Sequence, residues 1–145
     1  MLRKILGGID RQSPLQAVRG PALDEALARL VIEPPHAVWA ALVSCDGLLA
    51  GCFPPAPAIH RDRISAMSAA LLSLGERISK ELDNGELHYA FIAGAQGLSL
   101  AVVLSQNYML ALELRGNVSV DAVFDDLRQS VTPLLQRLGI GSLPI

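Results

Sequence analysis

The stretch HAVWAALVSCDGLLAGCF, residues 36–53, consists of two apolar runs that flank the dipeptide Asp46-Gly47. An Asp-Gly pair between apolar runs is the strongest short-range signal for a β-hairpin, because these residues suit the tight turn. We therefore predict antiparallel strands near residues 37–44 and 48–53, joined by a two-residue turn. The elements on either side of this hairpin define the rest of the fold.

Both cysteines of the chain lie in this hairpin. In the predicted register Cys45 faces Leu48 and Cys52 faces Ala41. The two sulfur atoms are then about four residues apart along the ladder, at about 3.4 Å per residue, which is beyond the reach of a disulfide. We predict two reduced thiols, as expected in a reducing cytoplasm. No metal site is predicted, because there is no second cysteine pair and no ligand spacing among the histidines His36, His60 and His88.

The segment before the hairpin predicts a short helix. Pro21 suits its first position, and Pro34 and Pro35 stop it. Its apolar stripe contains Leu23, Leu27 and Leu30. We interpret residues 1–20 as a basic N-terminal extension that is flexible or packs in a dimer, although an amphipathic turn that touches a membrane is the alternative. The charged residues of this extension are Arg3, Lys4, Arg11 and Arg19 against Asp10.

After the hairpin, a proline-rich connector leads to the longest predicted element, a helix near residues 60–83. Apolar residues recur along it at helical spacing, and we predict that they face the core: Ile64, Met67, Leu71, Leu74, Ile78 and Leu82. The opposite side should then carry Asp62, Ala69, Ser73, Glu76 and Lys80, with Ser65 and Ala66 beside them. Small residues in its middle would let a second helix approach closely. The alternative is that alanine is simply a good helix former on a plain surface.

Three apolar segments after the long helix predict a meander of strands near residues 86–93, 97–105 and 108–114. In the first of them Leu87, Tyr89 and Phe91 alternate with Ala90 and Ile92. Both faces of this strand are apolar, so we predict that the sheet is covered on both faces. Either this strand lies at a sheet edge and pairs with its symmetry mate, or it is central.

A helix should close the chain, starting at Ser119, which is a good N-cap residue. Its buried stripe is predicted to contain Phe124, Leu127, Val131, Leu134 or Leu135, and Leu138. Pro133 removes one backbone donor inside this helix, so we predict a kink or an early loosening there.

The composition favours a single domain that meets a partner. With 145 residues, 51% hydrophobic and only 18% charged, the chain is apolar for so small a protein. A net charge of −2 without a basic stripe in the folded part argues against nucleic-acid binding. The longest uncharged stretch, residues 87–112, is broken by turn-forming clusters, so no transmembrane segment is predicted. No secretory signal is evident, and we expect a cytoplasmic protein.

No catalytic signature is present, so we predict a non-enzymatic protein without a cofactor. The segment GAQG, residues 94–97, lacks the lysine and hydroxyl of a phosphate-binding loop and joins two strands. The densest polar cluster is HRDR, residues 60–63. Its position at the start of the long helix favours a solvated or partner-facing end over an active site.

Four stretches in a fixed order resemble the Roadblock/dynein light chain family: LDEALARL, VWAALVSCDGLLAG, DRISAMSAALLSLGERISKEL and ELHYAFIAGAQGLSLAVVL. The resemblance covers residues 21–139 and leaves residues 1–20 as an extension and 140–145 as a tail. It implies an α/β protein with a three-layer α/β/α, profilin-like fold. A five-stranded antiparallel sheet would carry the long helix on one face and the terminal helices on the other.

The resemblance also implies how the chain acts. Members are typically homodimers or heterodimers joined by edge strands, with the long helices side by side. Bacterial and archaeal members commonly partner small Ras-like GTPases as activators or scaffolds. We therefore expect a dimer of identical or paralogous chains that regulates or scaffolds such a GTPase. The alternative is a small-molecule-sensing domain of similar architecture, which would need a pocket between sheet and helix.

Both expected interfaces use the long helix. The expected dimer contacts are Ala66, Ala69, Ala70, Ser73, Leu87, Tyr89 and Phe91. The expected GTPase contacts are Arg61, Asp62, Ser65, Ala69, Ser73 and Glu76.

Overall fold

A computed structural model describes residues 18–32, 37–57, 59–116 and 118–143 of the chain. Its helices and strands follow the predicted order. They are α1 (Pro21–Ile32), β1 (Ala37–Ser44), β2 (Leu49–Phe53), α2 (Arg61–Glu81), β3 (Tyr89–Ala93), β4 (Gly97–Val103), β5 (Tyr108–Arg115), α3 (Val120–Ser130) and α4 (Thr132–Leu138).

The strands form one five-stranded antiparallel sheet in the order β2-β1-β5-β4-β3, so β2 and β3 are its edges. Helices α1, α3 and α4 share one buried cluster with one face of the sheet, and α2 shares a second cluster with the other face. The predicted α/β fold class, three layers with the long helix opposite the terminal helices, is confirmed.

The larger core lies under α1, α3 and α4. Leucines from every layer are buried there: Leu23, Leu27, Leu42, Leu110, Leu112, Leu114, Leu127 and Leu134. Helix α1 approaches β2 most closely at Gly51, where a side chain would come within 2.8 Å of Leu23 Cδ2. Because packed carbons do not approach each other so closely, only glycine fits there without a shift. The predicted stripe of the first helix is confirmed.

On the opposite face, a row of alanines crosses the sheet beneath α2. Four strands contribute one each, in register: Ala41, Ala111, Ala101 and Ala90. The helix presents equally small side chains, Ser65 and Ser68, which are buried together with Ile64 and Leu72. Small side chains on both layers allow the helix to lie close to the sheet.

The predicted core face of α2 is wrong for most of its members. Ile64 is buried and Leu71 is half-buried, but Met67, Leu74, Ile78 and Leu82 are exposed. At about 100° per residue, the buried face is rotated by about a quarter turn from the predicted one. Helical periodicity identifies an apolar face, but it does not tell whether the same chain covers that face.

The hairpin has the predicted strands but a longer turn. Cys52 lies opposite Ala41 as predicted, and both cysteines are free thiols. However, β2 begins at Leu49, and the backbone N–H of Leu48 donates to Ser44 Oγ at 3.1 Å. The predicted two-residue turn is therefore wrong, because the Ser44 hydroxyl stabilises a wider loop.

The C-terminal helix breaks where Pro133 predicted. Helix α3 ends at Ser130 and α4 begins at Thr132, with proline in its first turn. The predicted buried stripe is confirmed, with Leu138 only partly buried. Ser119 occupies the N-cap position of α3, but its side chain makes no capping hydrogen bond.

The ends of the described chain pack more closely than the predicted boundaries imply. Val18 is buried, and its carbonyl accepts a hydrogen bond from Arg137 Nε at 3.2 Å. Ile140 and Leu143 also pack against the core. Most of the predicted extension, together with Pro34, Pro35 and His36, lies outside the described residues. None of the described helices is both long and apolar enough to span a bilayer.

Candidate interaction surface

Helix α2 carries an apolar stripe that no part of the described chain covers. Its members are between 48% and 66% exposed, and we call them the helix stripe: Met67, Leu74, Ile78 and Leu82. With the half-buried Leu71 they repeat at intervals of three and four residues. This spacing is typical of a seam that packs against a second helix.

The helix stripe lies on the flank of α2 that faces one end of the strands. On the other flank of α2, a side chain at Gly47 would lie 3.6 Å from Ala69 Cβ, so that flank faces the β1–β2 turn. Burial raises the pKa of the Cys45 thiol, and the nearby carboxylates of Glu76 and Asp46 raise it further. Because Cys45 adjoins the β1–β2 turn, Glu76 also lies on this flank of α2. The helix stripe lies on the flank opposite these residues.

Helix α2 is longer than the sheet is wide. Its 21 residues span about 31 Å, whereas five strands span about 19 Å. The helix starts at the β2 edge, because its first residue, Arg61, lies near Cys52 of β2. Burial raises the pKa of the Cys52 thiol, and the charge of Arg61 partly opposes this rise. The helix reaches the β3 edge at Gly75, where a side chain would lie 2.9 Å from Leu87 Cδ2 and 3.6 Å from Ala90 Cβ. The remaining turns of α2, with Ile78, extend past the last strand.

Strand β3 presents an unpaired edge. Gly94 N–H donates to the Gly97 carbonyl of β4, and Val103 N–H donates to the His88 carbonyl. Because N–H groups of successive strand residues alternate in direction, those of Tyr89, Phe91 and Ala93 point away from β4. The sheet order confirms the predicted edge position and excludes a central one.

The side chains of β3 are also uncovered on both faces. Tyr89, Phe91 and Ile92 are all exposed, so the predicted coverage of this strand is wrong within one chain. The Tyr89 ring packs edge-on against Phe124 of α3 with centroids 4.7 Å apart, and Phe91 stacks 6.4 Å from Tyr89. These ring contacts fix the positions of the exposed Tyr89 and Phe91 side chains beside the open edge of β3.

The expected dimer residues divide into two groups. Ala66, Ala70, Ser73, Tyr89 and Phe91 are exposed, near the helix stripe or on the open edge. The others are partly covered by their own chain: Ala69 lies near the β1–β2 turn, and Leu87 precedes β3 and packs against α2. The prediction that Leu87 shares a strand face with Tyr89 is wrong, because the strand begins only at Tyr89.

Most of the expected GTPase contacts lie on the surface of α2. Arg61, Asp62, Ser73 and Glu76 are exposed, and Arg61 Nη1 donates to the Pro55 carbonyl at 3.1 Å. The outward position predicted for Ser65 is wrong: it is buried, and its hydroxyl donates to the Asp62 carbonyl. The quarter-turn rotation of the helix accounts for this error.

A groove of about 410 Å³ lies beside α3 and α4, and it is lined by Arg128, Thr132, Leu135, Gln136, Ile140, Gly141, Ser142 and Leu143. Among the described residues, no three His, Cys, Asp or Glu residues are grouped so as to hold a metal ion.

Sequence comparison decides the family. The family model described as Roadblock/LC7 domain matches residues 23–113, which is more than half of the chain. The chain is a Roadblock/LC7 protein. The match covers α1 through most of β5 and so includes the helix stripe and the open edge. No curated protein matches the chain at the level of sequence.

Solved structures share this Roadblock/LC7 fold at low identity. A Roadblock/LC7 domain from Streptomyces avermitilis is 24% identical with a TM-score of 0.68, over 79% of this chain and 98% of that one. MglB from Myxococcus xanthus is 15% identical with a TM-score of 0.68, over 84% and 87% of the two chains. The gliding protein MglB from Thermus thermophilus is 15% identical with a TM-score of 0.67, over 87% and 91%. At these identities the likeness concerns the fold.

Proposed function

We propose that this Roadblock/LC7 protein is a non-enzymatic dimeric module that regulates or scaffolds a small Ras-like GTPase in the cytoplasm. One observation carries the proposal: the open edge of β3 and the helix stripe lie together on one side of the molecule. An exposed strand edge beside exposed apolar side chains is a liability that a partner chain removes. The family resemblance supports both the dimer and the GTPase partner.

The overhang of α2 fits a second copy of the chain. If two β3 strands pair side by side, the sheet continues under the turns of α2 that extend past Gly75. Ile78 and Leu82 would then cover the sheet of the partner, and Tyr89 and Phe91 would meet aromatic residues across the new pair. A two-fold axis gives both copies the same contacts, as expected of a closed homodimer. A paralogous chain with a similar edge would fit the same way.

A cysteine cross-link tests the strand pairing. In the variant Phe91→Cys, two antiparallel β3 strands would bring the new cysteines near the two-fold axis, where paired α-carbons lie about 5.5 Å apart. That separation permits a disulfide. We expect covalent dimers under mild oxidation on a non-reducing gel. Val38→Cys is the matched control, since Val38 is 48% and Phe91 49% exposed. Equal cross-linking of both variants would contradict the pairing.

The proposed GTPase contacts are four of the exposed residues of α2 outside the helix stripe, namely Arg61, Asp62, Ser73 and Glu76. The half-buried Ala69 lies between them. Glu76 and Asp62 are charged and would contribute to partner selection and association rate more than to total affinity. No arginine finger is required, because the module could orient residues of the GTPase itself.

Binding to small Ras-like GTPases of the same organism, loaded with GDP or with a non-hydrolysable GTP analogue, tests the function directly. We expect one nucleotide state to bind more tightly, and Glu76→Lys to weaken binding about tenfold through repulsion or a lost ion pair. Glu25→Lys on the opposite side of the sheet is the control and should bind as the wild type does. A hydrolysis assay separates activation from scaffolding. Failure of every GTPase to bind in either state would refute this function.

A further inference from the structure

The groove beside α3 and α4 is built partly by the residues that follow α4. Gly139 ends this helix with a φ of 71°, and the Ile140 N–H donates to the Leu135 carbonyl at 2.8 Å. A left-handed glycine with such a bond is a common helix end, and it turns the chain back. Residues 140–143 then line the groove together with α4, and Ile140 and Leu143 pack against the core. The groove therefore has one wall from the helix and one from the segment after it.

The chemistry of this groove suits an apolar peptide segment. Leu135 is buried, and Ile140 and Leu143 are half-buried, so all three give the groove an apolar lining. Arg128 also lines it, but its Nη1 donates to Asp125 Oδ1 at 2.7 Å, so its charge is balanced within α3. A volume of about 410 Å³ lies within the range of roughly 300–1,000 Å³ typical of binding pockets. Several side chains of a peptide would fit there.

The N-terminal extension joins the fold next to this groove. Val18 is buried, and its carbonyl accepts a hydrogen bond from Arg137 Nε at 3.2 Å. Gln136, the preceding residue of α4, lines the groove. The 17 residues before Val18 lie outside the described part of the chain. A segment of that length can extend over about 56–61 Å, whereas α4 spans only about 10 Å, so it can reach every part of the groove.

The extension complements the groove in charge and in hydrophobicity. Residues 1–17 carry a net charge of +2, from Arg3, Lys4 and Arg11 against Asp10. Helix α3 carries a net charge of −2, from Asp121, Asp125 and Asp126 against Arg128. The extension also contains apolar residues that gain from burial, namely Leu2, Ile5, Leu6 and Ile9. Cations beside the carboxylates of α3 would add electrostatic attraction at low ionic strength.

We propose that the groove beside α3 and α4 binds the N-terminal extension of its own chain. Apolar side chains among residues 2–9 would occupy the groove, and Arg3 and Lys4 would approach the carboxylates of α3. The contact does not depend on a GTPase partner, because α3 and α4 lie on the sheet face opposite α2. It would connect the two ends of the domain and cover the apolar lining of the groove.

A cysteine pair tests this contact in the full-length chain. Gly7→Cys leaves the apolar residues of the extension intact, and Ser142→Cys places a second thiol on an exposed residue of the groove. We expect a disulfide within one chain, detected by peptide mass spectrometry after mild oxidation. Gly7→Cys with Asp24→Cys is the control, because Asp24 is also exposed and lies only six residues after Val18.

An extension that does not dock would reach Asp24 at least as often as Ser142. The yield with Ser142→Cys should therefore be at least about fivefold higher, and equal yields would overturn the proposal. A disulfide between two chains would place the extension on a partner copy and would also overturn it.

Hydrogen exchange gives a second test without new thiols. Leu6→Asp should remove the extension from the groove, and the amides of residues 140–143 should then exchange at least about fivefold faster. Gln12→Asp adds the same charge to a polar position of the extension and should leave their exchange unchanged. Unchanged protection in Leu6→Asp would mean that the groove is empty or holds another protein or a small molecule, and the proposal would be wrong.

Discussion

Replacing Leu74 with aspartate should convert the dimer into monomers that remain folded. Leu74 lies in the helix stripe and is 56% exposed, so a charge there costs the single chain little. In the proposed dimer it would be buried twice, once from each copy. Full burial of an exposed leucine is worth about 1.5–3 kcal/mol, and about half of the Leu74 side chain remains to be buried, so the two copies account for about 1.7–3.4 kcal/mol. That corresponds to a dissociation constant at least about 10-fold higher.

Ile32→Asp is the control for this experiment, because Ile32 and Leu74 are both 56% exposed but lie on different helices. Light scattering over a range of concentrations should give half the wild-type mass for Leu74→Asp and the wild-type mass for Ile32→Asp. Circular dichroism should show the same helix content in both. If Leu74→Asp keeps the wild-type mass, the helix stripe is not a dimer contact.

Replacing Leu27 with alanine should lower the free energy of unfolding by about 2–5 kcal/mol, the usual cost of a buried leucine-to-alanine change. Leu27 is 0% exposed and lies on the buried face of α1, where Gly51 of β2 allows the helix to approach the strand closely. The shape of this contact leaves little room for neighbours to fill the cavity. Urea unfolding at a fixed protein concentration measures the change, since dimer formation also contributes to apparent stability.

Leu48→Ala is the control for Leu27→Ala, because Leu48 is 53% exposed at the hairpin turn. Its effect should stay within about 0.5 kcal/mol, as is usual for surface substitutions. A comparable loss in both variants would mean that the buried cluster under α1 does not dominate stability.

The element order and most strand boundaries could be predicted from the sequence because local chemistry decides them. Asp46 and Gly47 mark the hairpin, and Pro133 marks the break between α3 and α4. The detail of the hairpin turn could not be predicted, since it depends on a hydrogen bond to the Ser44 hydroxyl. Such a bond competes with the standard turn geometry without altering the apolar pattern.

The orientation of α2 was the main error, and its cause is physical. The most apolar stripe of this helix was assigned to the core, whereas Ser65 and Ser68 are the residues that face the sheet. They fit there only because the strands beneath carry alanines, a match visible once the register of four strands is known. The apolar periodicity of a helix is the same whether its larger apolar residues pack against a partner chain or against the core of their own chain.

The position of Glu113 beside Trp39 and Ser99 could not be predicted for a similar reason. Glu113 is the one charged residue inside the apolar run YMLALEL, residues 108–114, and that irregularity was a usable signal. Its neighbours Trp39 and Ser99 lie far away in sequence and meet it only through the strand order. Long-range pairing of this kind has no local signature.

Because α2 projects past its own sheet, the stability of the protein in the cell should depend on its concentration. If the proposed dimer forms, each newly synthesised subunit exposes the end of α2 and the edge of β3 until it binds a second copy, so the protein concentration determines how long these surfaces remain exposed to water. A lower concentration should shorten the lifetime of the protein, because single subunits expose surfaces that favour proteolysis and aggregation. Expression level would then act as a threshold below which little of the module persists.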